Sequence, residues 1–323
     1  MGIQGYGSCN RVPQAAFPHH EAWFVTHVIT LVGNPQQSPV SPGLADAAHS
    51  ALSRLDGQVG DINWLSPGTA CDVPIDGIDP TVAVEAVRAV LEGQPVDIVA
   101  QRRKHRRKRL LIADMDSTMI RQECIDEIAE FVGRRAQVAA ITERAMRGDI
   151  DFPEAVRERA NMFAGLGADV LERVYDESIS LTPGAETLVR VMRRSGAVTA
   201  LVSGGFTQFT SRVAERVGFD YHHGNELEIV AGKLTGKALE PIKGGDAKVE
   251  LLDRYRDRLG ISAEQTLAVG DGANDIPMIK VAGLGVAFHG KPSVVEAADA
   301  EISNGDLTAL LYIQGFREAE INA

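Results

Sequence analysis

Beyond Leu110 the chain alternates short apolar runs with helix-length amphipathic stretches. The runs are Leu110 to Ala113, Ala197 to Val202, Thr266 to Val269 and Leu284 to Phe288, with a weaker one near Glu301 to Ser303. Apolar runs of this length, bounded by turn residues, predict strands buried on both faces. The expected fold is therefore α/β, a doubly wound parallel sheet. Each of the first three runs ends in a polar or glycine-rich loop, and ligands of such sheets bind beyond the carboxyl ends of the strands. Those loops should converge on one site. The stretch from Gln122 to about Arg194 is too long for one crossover helix, so residues 122–185 are expected to form a helical lid. Leu227 to Val230, Ala231-Gly232 and Lys233 to Leu234 predict a β-hairpin.

The first hundred residues follow another pattern. Trp23 to Val32 has the β-branched and aromatic content of a strand, broken by Gly33-Asn34-Pro35. Pro42 to Leu55 and Pro80 to Glu92 carry helical spacing, while Asp61 to Trp64, Thr69 to Ile75 and Val96 to Ala100 read as strands. The order βαββαβ over residues 21–101 predicts a small α+β sandwich of the ferredoxin-like kind. It resembles the small-molecule-binding ACT domain. Residues 1–20 read as a flexible tail.

Composition narrows the classes. Apolar residues make up 44% of the 323 and charged residues 24%, as in a globular protein. The formal charge is −11, and residues 1–100 contribute −7 while 102–109 contribute +7. An acidic body argues against a nucleic-acid partner. The basic run from Arg102 to Arg109 lacks interleaved aromatic residues and reads as a solvated linker between two domains. Three cysteines, Cys9, Cys71 and Cys124, give neither a disulfide framework nor a zinc site. With no secretion signal and no apolar run long enough for a bilayer, the expectation is a cytoplasmic protein without a membrane partner. Oligomeric state stays open, a homodimer included.

Three strand ends carry the candidate chemistry. Asp114-Met115-Asp116-Ser117-Thr118 sets two carboxylates two residues apart, projecting to one side of an extended backbone. Ser203-Gly204-Gly205-Phe206 offers a hydroxyl and closely approachable amides before a helix, a setting that suits a phosphate. Gly270-Asp271-Gly272-Ala273-Asn274-Asp275 gathers hard oxygen ligands of the kind Mg²⁺ prefers. Alone, each is an ordinary turn; their agreement at three strand ends points to a site. Lys248 opens an amphipathic stretch and would supply a cation near a dianionic substrate.

These elements, in this order, resemble the haloacid dehalogenase superfamily and, within it, the phosphoserine phosphatase family. The resemblance runs from about Arg109 to about Leu311 and includes Glu123, the segment Phe152 to Arg159 and Gly232-Lys233-Leu234-Thr235-Gly236. It implies O-phosphoserine as substrate and Asp114 as the nucleophile that becomes an aspartyl phosphate. Asp116 would serve as general acid and then base, which requires a raised pKa. Mg²⁺ would be held by Asp114, the Asp116 backbone carbonyl and Asp271, with Asp275 in support. Ser203, Gly204, Gly205 and Lys248 would bind phosphoryl oxygens, and Asn274 would help position them. Glu123 would meet the substrate ammonium and Arg159 its carboxylate, with Phe152, Met146 and Met162 as lid core. Another small phosphate monoester is the alternative substrate. A second alternative makes the N-terminal half chiefly a regulatory module, with serine as its candidate ligand. Every residue implied in the chemistry lies after Arg109, so the N-terminal domain is expected to be dispensable for it.

Overall fold

A computed structural model describes residues 26–34 and 37–323. The expected tail, the start of the first strand at Trp23 and the side chain of Met146 lie outside the described residues. In chain order the N-terminal domain consists of β1 (His27–Gly33), α1 (Pro42–Leu52), β2 (Gln58–Val59), β3 (Asn63–Ser66), β4 (Ala70–Asp76), α2 (Pro80–Val90) and β5 (Val96–Arg102). Both helices start where the sequence supplies a cap followed by proline. Ser41 Oγ accepts from the Leu44 amide, and Asp79 accepts from the amides of Thr81 and Val82. β1 pairs antiparallel with β4 on one side and β5 on the other, and β2 and β3 both pair with β4. This is the expected βαββαβ arrangement, with β2 added.

Alternation along these strands gives the sheet two apolar faces. Ile29, Leu31, Cys71, Val73 and Ile75 pack with Ala45, Ala48, Leu52, Ala83 and Val87 of the two helices. The other face sends Val32, Ala70 and Val99 into the large core of the following domain. One face of the N-terminal sheet is therefore part of the following domain's core, while the other keeps a core of its own.

That domain begins with β6 (Leu110–Ala113) and the lid helices α3 (Cys124–Phe131), α4 (Arg135–Arg147), α5 (Phe152–Asn161) and α6 (Asp169–Ser178). It continues with α7 (Ala185–Arg194), β7 (Val198–Phe206), α8 (Thr207–Val217), β8 (Tyr221–Asn225), the hairpin β9 (Leu227–Val230) and β10 (Lys233–Ala238), and α9 (Gly245–Leu259). β11 (Thr266–Gly270), α10 (Ile276–Val281), β12 (Gly285–Phe288), α11 (Pro292–Ala297), β13 (Ala300–Ile302), α12 (Ala309–Ile313) and α13 (Glu318–Asn322) complete it. The parallel sheet has the order β13-β12-β11-β6-β7-β8. Its strand order reverses between β6 and β11, which is where such sheets open a crevice for ligands. The hairpin docks on the lid: the Gly165 amide donates to the Leu234 carbonyl and the Leu234 amide to the Leu166 carbonyl, both at 2.8 Å. Among the described residues, no helix is long and apolar enough to cross a membrane.

The basic run departs from expectation. Arg106 is folded into the domain boundary, donating to both Asp72 oxygens at 2.6 and 2.7 Å, to Thr30 Oγ1 and to the Ile313 carbonyl. Lys108 is buried and its ammonium donates to the carbonyls of Glu264 and Gly283. Arg107 pairs with Glu320 and lies over the Phe316 ring. A solvated spacer would leave these groups in water; here Arg106 satisfies buried oxygens between the domains, and Lys108 and Arg107 tie the run to the following domain. Removing either Arg106 or Asp72 would strand the other, at a cost of about 3–5 kcal/mol.

Candidate active site

Asp114 stands one residue beyond β6, and its amide donates to the Val269 carbonyl at 3.0 Å, prolonging the pairing of β6 with β11. The chain then turns sharply. Met115 is buried, Asp116 is extended and Ser117 adopts a left-handed φ of 53°, a strained choice for a residue with a side chain. Residues in such a conformation cluster at functional sites.

Asp114 is 4% exposed and faces Lys248 from the first turn of α9. The Lys248 ammonium lies 2.6 Å from Asp114 Oδ1 and 2.5 Å from Asp275 Oδ1. Burial and the Asp275 charge push the Asp114 carboxyl well above its usual range, against the pull of Lys248. Asp275 Oδ2 accepts from the Gly272 amide at 3.1 Å, and Asp271 Oδ1 accepts from Thr118 Oγ1 at 3.0 Å. Burial, then the Asp275 charge, raises Asp271 too.

Carboxylate oxygens of Asp114, Asp271 and Asp275 lie within 4.8 Å of one another. Three buried carboxylates facing one ammonium leave excess negative charge, and hard oxygen donors at this spacing fit a hard divalent cation. This cluster can hold a metal ion.

Asp116 belongs to a different network. Its Oδ1 accepts from the Cys124 amide at 2.8 Å and its Oδ2 from Ser203 Oγ at 3.0 Å. Burial raises its pKa, opposed by the bonds from Cys124 and Ser203 and by the Lys248 charge. Ser203 Oγ in turn accepts from the Gly205 amide at 2.8 Å. Contrary to expectation, β7 runs on through Phe206, so Ser203, Gly204 and Gly205 belong to the irregular end of a strand. A Cβ at Gly205 would lie 3.0 Å from Asp116 Oδ2, which explains the glycine there. Asn274 sits half-buried in the single turn Ala273–Asp275, its side chain folded against Gly272.

The lid brings its two charges to the same place. Glu123 accepts from Ser117 Oγ at 2.7 Å, and burial followed by the Asp116 charge pushes its carboxyl up to about 7. Arg159, on α5, donates to the Ala155 carbonyl at 3.1 Å and feels the charges of Asp126, Glu123 and Asp116. Among the described residues it has no ion-pair partner. Phe152 proves more than lid core. A Cβ at Gly204 would come 2.8 Å from Phe152 Cζ, and one at Gly244 3.1 Å from its Cδ1, so this ring packs against the end of β7 and the turn before α9. A crevice of about 880 Å³ lies instead between the domains, lined by Asn34, Arg121, His289 and Asn304, with Ser117 on its wall.

The structure thus brings together Asp114, Asp116, Ser203, Lys248, Asp271 and Asp275, with Glu123 and Arg159 above them. Thr118 and the Cys124 amide were missed as supports. Thr118 could have been found, since it closes the Asp114 motif; a backbone donor such as Cys124 leaves no trace in sequence.

Residues 111–280 match the sequence profile of the haloacid dehalogenase-like hydrolases. A phosphoserine phosphatase from Streptomyces coelicolor is 37% identical over 302 residues, covering 93% of this chain and 73% of the relative. Among solved structures, a hydrolase of the same family from Salmonella enterica serovar Typhi superposes with a TM-score of 0.77 at 30% identity, covering 90% of this chain and 98% of that one. A phosphoserine phosphatase solved as an analogue of its phospho-aspartyl intermediate gives a TM-score of 0.59 at 40% identity, over 64% of this chain and 98% of that one. The chain belongs to the haloacid dehalogenase-like hydrolases.

Proposed function

We propose that the protein hydrolyses O-phosphoserine to serine and phosphate, the last step of serine biosynthesis, in the cytoplasm. The observation that carries this reading is the placement of Glu123 and Arg159, one anion and one cation on the lid, over the paired carboxylates Asp114 and Asp116. A zwitterionic amino-acid end needs both charges; a sugar phosphate needs neither.

Asp114 attacks phosphorus and the bond to the serine oxygen breaks, leaving an aspartyl phosphate. Asp116, whose pKa burial raises, gives its proton to the departing serine oxygen. It then takes a proton from the water that attacks the same phosphorus, which returns Asp114 as a carboxylate and releases phosphate. Ser203 can turn its hydroxyl from Asp116 to a phosphoryl oxygen, with the Gly204 and Gly205 amides as further donors to that group. Lys248 holds Asp114 and offers positive charge to the phosphoryl group.

Asp114, Asp271 and the Asp116 backbone carbonyl would hold Mg²⁺, with Asp275 in support; bound there, the ion offsets the repulsion between an anionic nucleophile and an anionic phosphate. Asn274 steadies the loop that carries Asp271 and Asp275.

A phosphate-release screen over small phosphomonoesters with Mg²⁺ tests the assignment. O-phosphoserine should exceed sugar and aryl phosphates in kcat/KM by about a hundredfold or more, because a buried charge left unpaired penalises the wrong substrate. Comparable values across the screen would sink the substrate while leaving the reaction type.

A further inference from the structure

Asp97 reaches from β5 across the domain boundary and is 4% exposed. Its Oδ1 accepts from the amides of Ser303 at 2.9 Å and Asn304 at 3.1 Å, and from the Asn304 side-chain amide at 2.8 Å. Its Oδ2 accepts from the Gly305 amide at 2.8 Å. One carboxylate of the N-terminal domain thus fixes three successive peptide units just after β13, using charge-assisted bonds.

The same loop holds a segment that reaches the backbone of Asp271. The Gly305 carbonyl accepts from His289 Nε2 at 3.2 Å. His289 has a left-handed φ of 45°, and its amide donates to the Ile302 carbonyl at 2.8 Å. Such a backbone persists only where its surroundings over-determine it. Two residues on, the Lys291 amide donates to the carbonyl of Asp271 at 3.0 Å. An unbroken series of bonds therefore runs from Asp97 to the backbone of Asp271.

We propose that Asp97 is a positioning residue for the phosphatase reaction, fixing the 303–305 loop and, through His289, the segment that sets Asp271 beside Asp114. The N-terminal domain then shapes the active site without touching substrate or metal, and the expectation that it is dispensable for the chemistry is revised. The inference rests on the reading of Asp271 as a metal ligand.

Asp97→Asn preserves shape but turns a donor toward amides that need an acceptor. Hydrogen exchange on the full-length, metal-free protein reads the loop directly. The amides of His289 and Lys291, together with those of 303–305, should exchange roughly tenfold faster in the variant. The Mg²⁺ concentration for half-maximal turnover of O-phosphoserine should rise by about tenfold, the low end for groups that orient a metal ligand's own partners. KM at saturating Mg²⁺ should stay within about twofold of the parent value.

Asp72→Asn is the control, because it loosens the same domain boundary through Arg106 without touching 303–305. It should lower the unfolding midpoint yet leave exchange at His289 and Lys291, and the Mg²⁺ midpoint, unchanged. Should Asp97→Asn fail to fold, His289→Ala cuts the series beyond the boundary and carries the same readouts. Unchanged exchange at His289 and Lys291 in a folded Asp97→Asn would overturn the proposal, as would an equal shift in Asp72→Asn. An exchange shift accompanied by activity indifferent to chelator would overturn the metal reading and support the tie to Asp97.

Discussion

Lys248 donates a 2.6 Å hydrogen bond to Asp114 Oδ1 where neither side chain meets bulk water, at 1% and 6% exposure. In water such a pair contributes little. In the interior its loss leaves uncompensated charge, so Lys248→Met should cost about 3–5 kcal/mol of stability in chelator at neutral pH. The pH sense follows from Asp114, whose folded pKa is already raised. A carboxyl that binds its proton more tightly in the folded state costs stability as pH rises, and losing Lys248 raises it further. The deficit should therefore shrink toward acid pH. Denaturant unfolding of both proteins at several pH values measures it; a deficit that grows on acidification would contradict the assigned pairing.

Arg159 and Glu123 should matter only for the amino-acid end of the substrate. Arg159→Ala removes a charge-assisted pair, at roughly 2–5 kcal/mol, and should lower kcat/KM for O-phosphoserine by about 30- to several thousand-fold. An aryl phosphate should lose little. Glu123→Gln should show the same asymmetry more weakly, whereas Asp116→Asn should damage any reaction whose leaving group needs a proton. Kinetics on both substrates, with unfolding midpoints as a control, separates the groups. Equal losses on both substrates in Arg159→Ala would show that it does not read the carboxylate.

Glu123 gives a pH signature. Its carboxyl, pushed from 4.5 up to about 7 in the free enzyme, must be ionised to pair with an ammonium. Below about 7 it gains a proton and the pairing is lost, so kcat/KM for O-phosphoserine should fall with acidification more steeply than for an aryl phosphate. Taking the ratio of the two substrates removes the ionisation of the phosphate itself, near pH 6 in both. In Glu123→Gln the ratio should become flat. A ratio already flat between about pH 5 and 8 in the parent would remove Glu123 from substrate binding.

Much of this site was legible because its carboxylates sit at strand ends, and buried parallel strands announce themselves as apolar runs. Leu110 to Ala113 marks Asp114, and Thr266 to Val269 marks Asp271 and Asp275. What escaped was made by tertiary partners. Arg106 looks like one charge in a solvated run until Asp72, 34 residues away, and the Ile313 carbonyl, 207 away, enclose it. Asp97 reads as an ordinary polar residue in a strand, since nothing nearby in sequence shows the three amides that it binds. β8, with the sequence Tyr-His-His-Gly-Asn, sits at a sheet edge, and half-exposed polar positions hide the strand pattern. Phe152 was placed in the lid, but the tight approach to Gly204 and Gly244 exists only once the lid closes over β7.

The central claim is that Asp114 carries the phosphoryl group between substrate and water. Rapid acid quenching of the enzyme during turnover of O-phosphoserine labelled in its phosphate, followed by peptide mapping of the denatured chain, tests this most directly. A base-labile label is expected on the peptide containing Asp114, absent in Asp114→Asn and prolonged when Asp116 can no longer activate water. A label on another residue, or full turnover by Asp114→Asn, would contradict it.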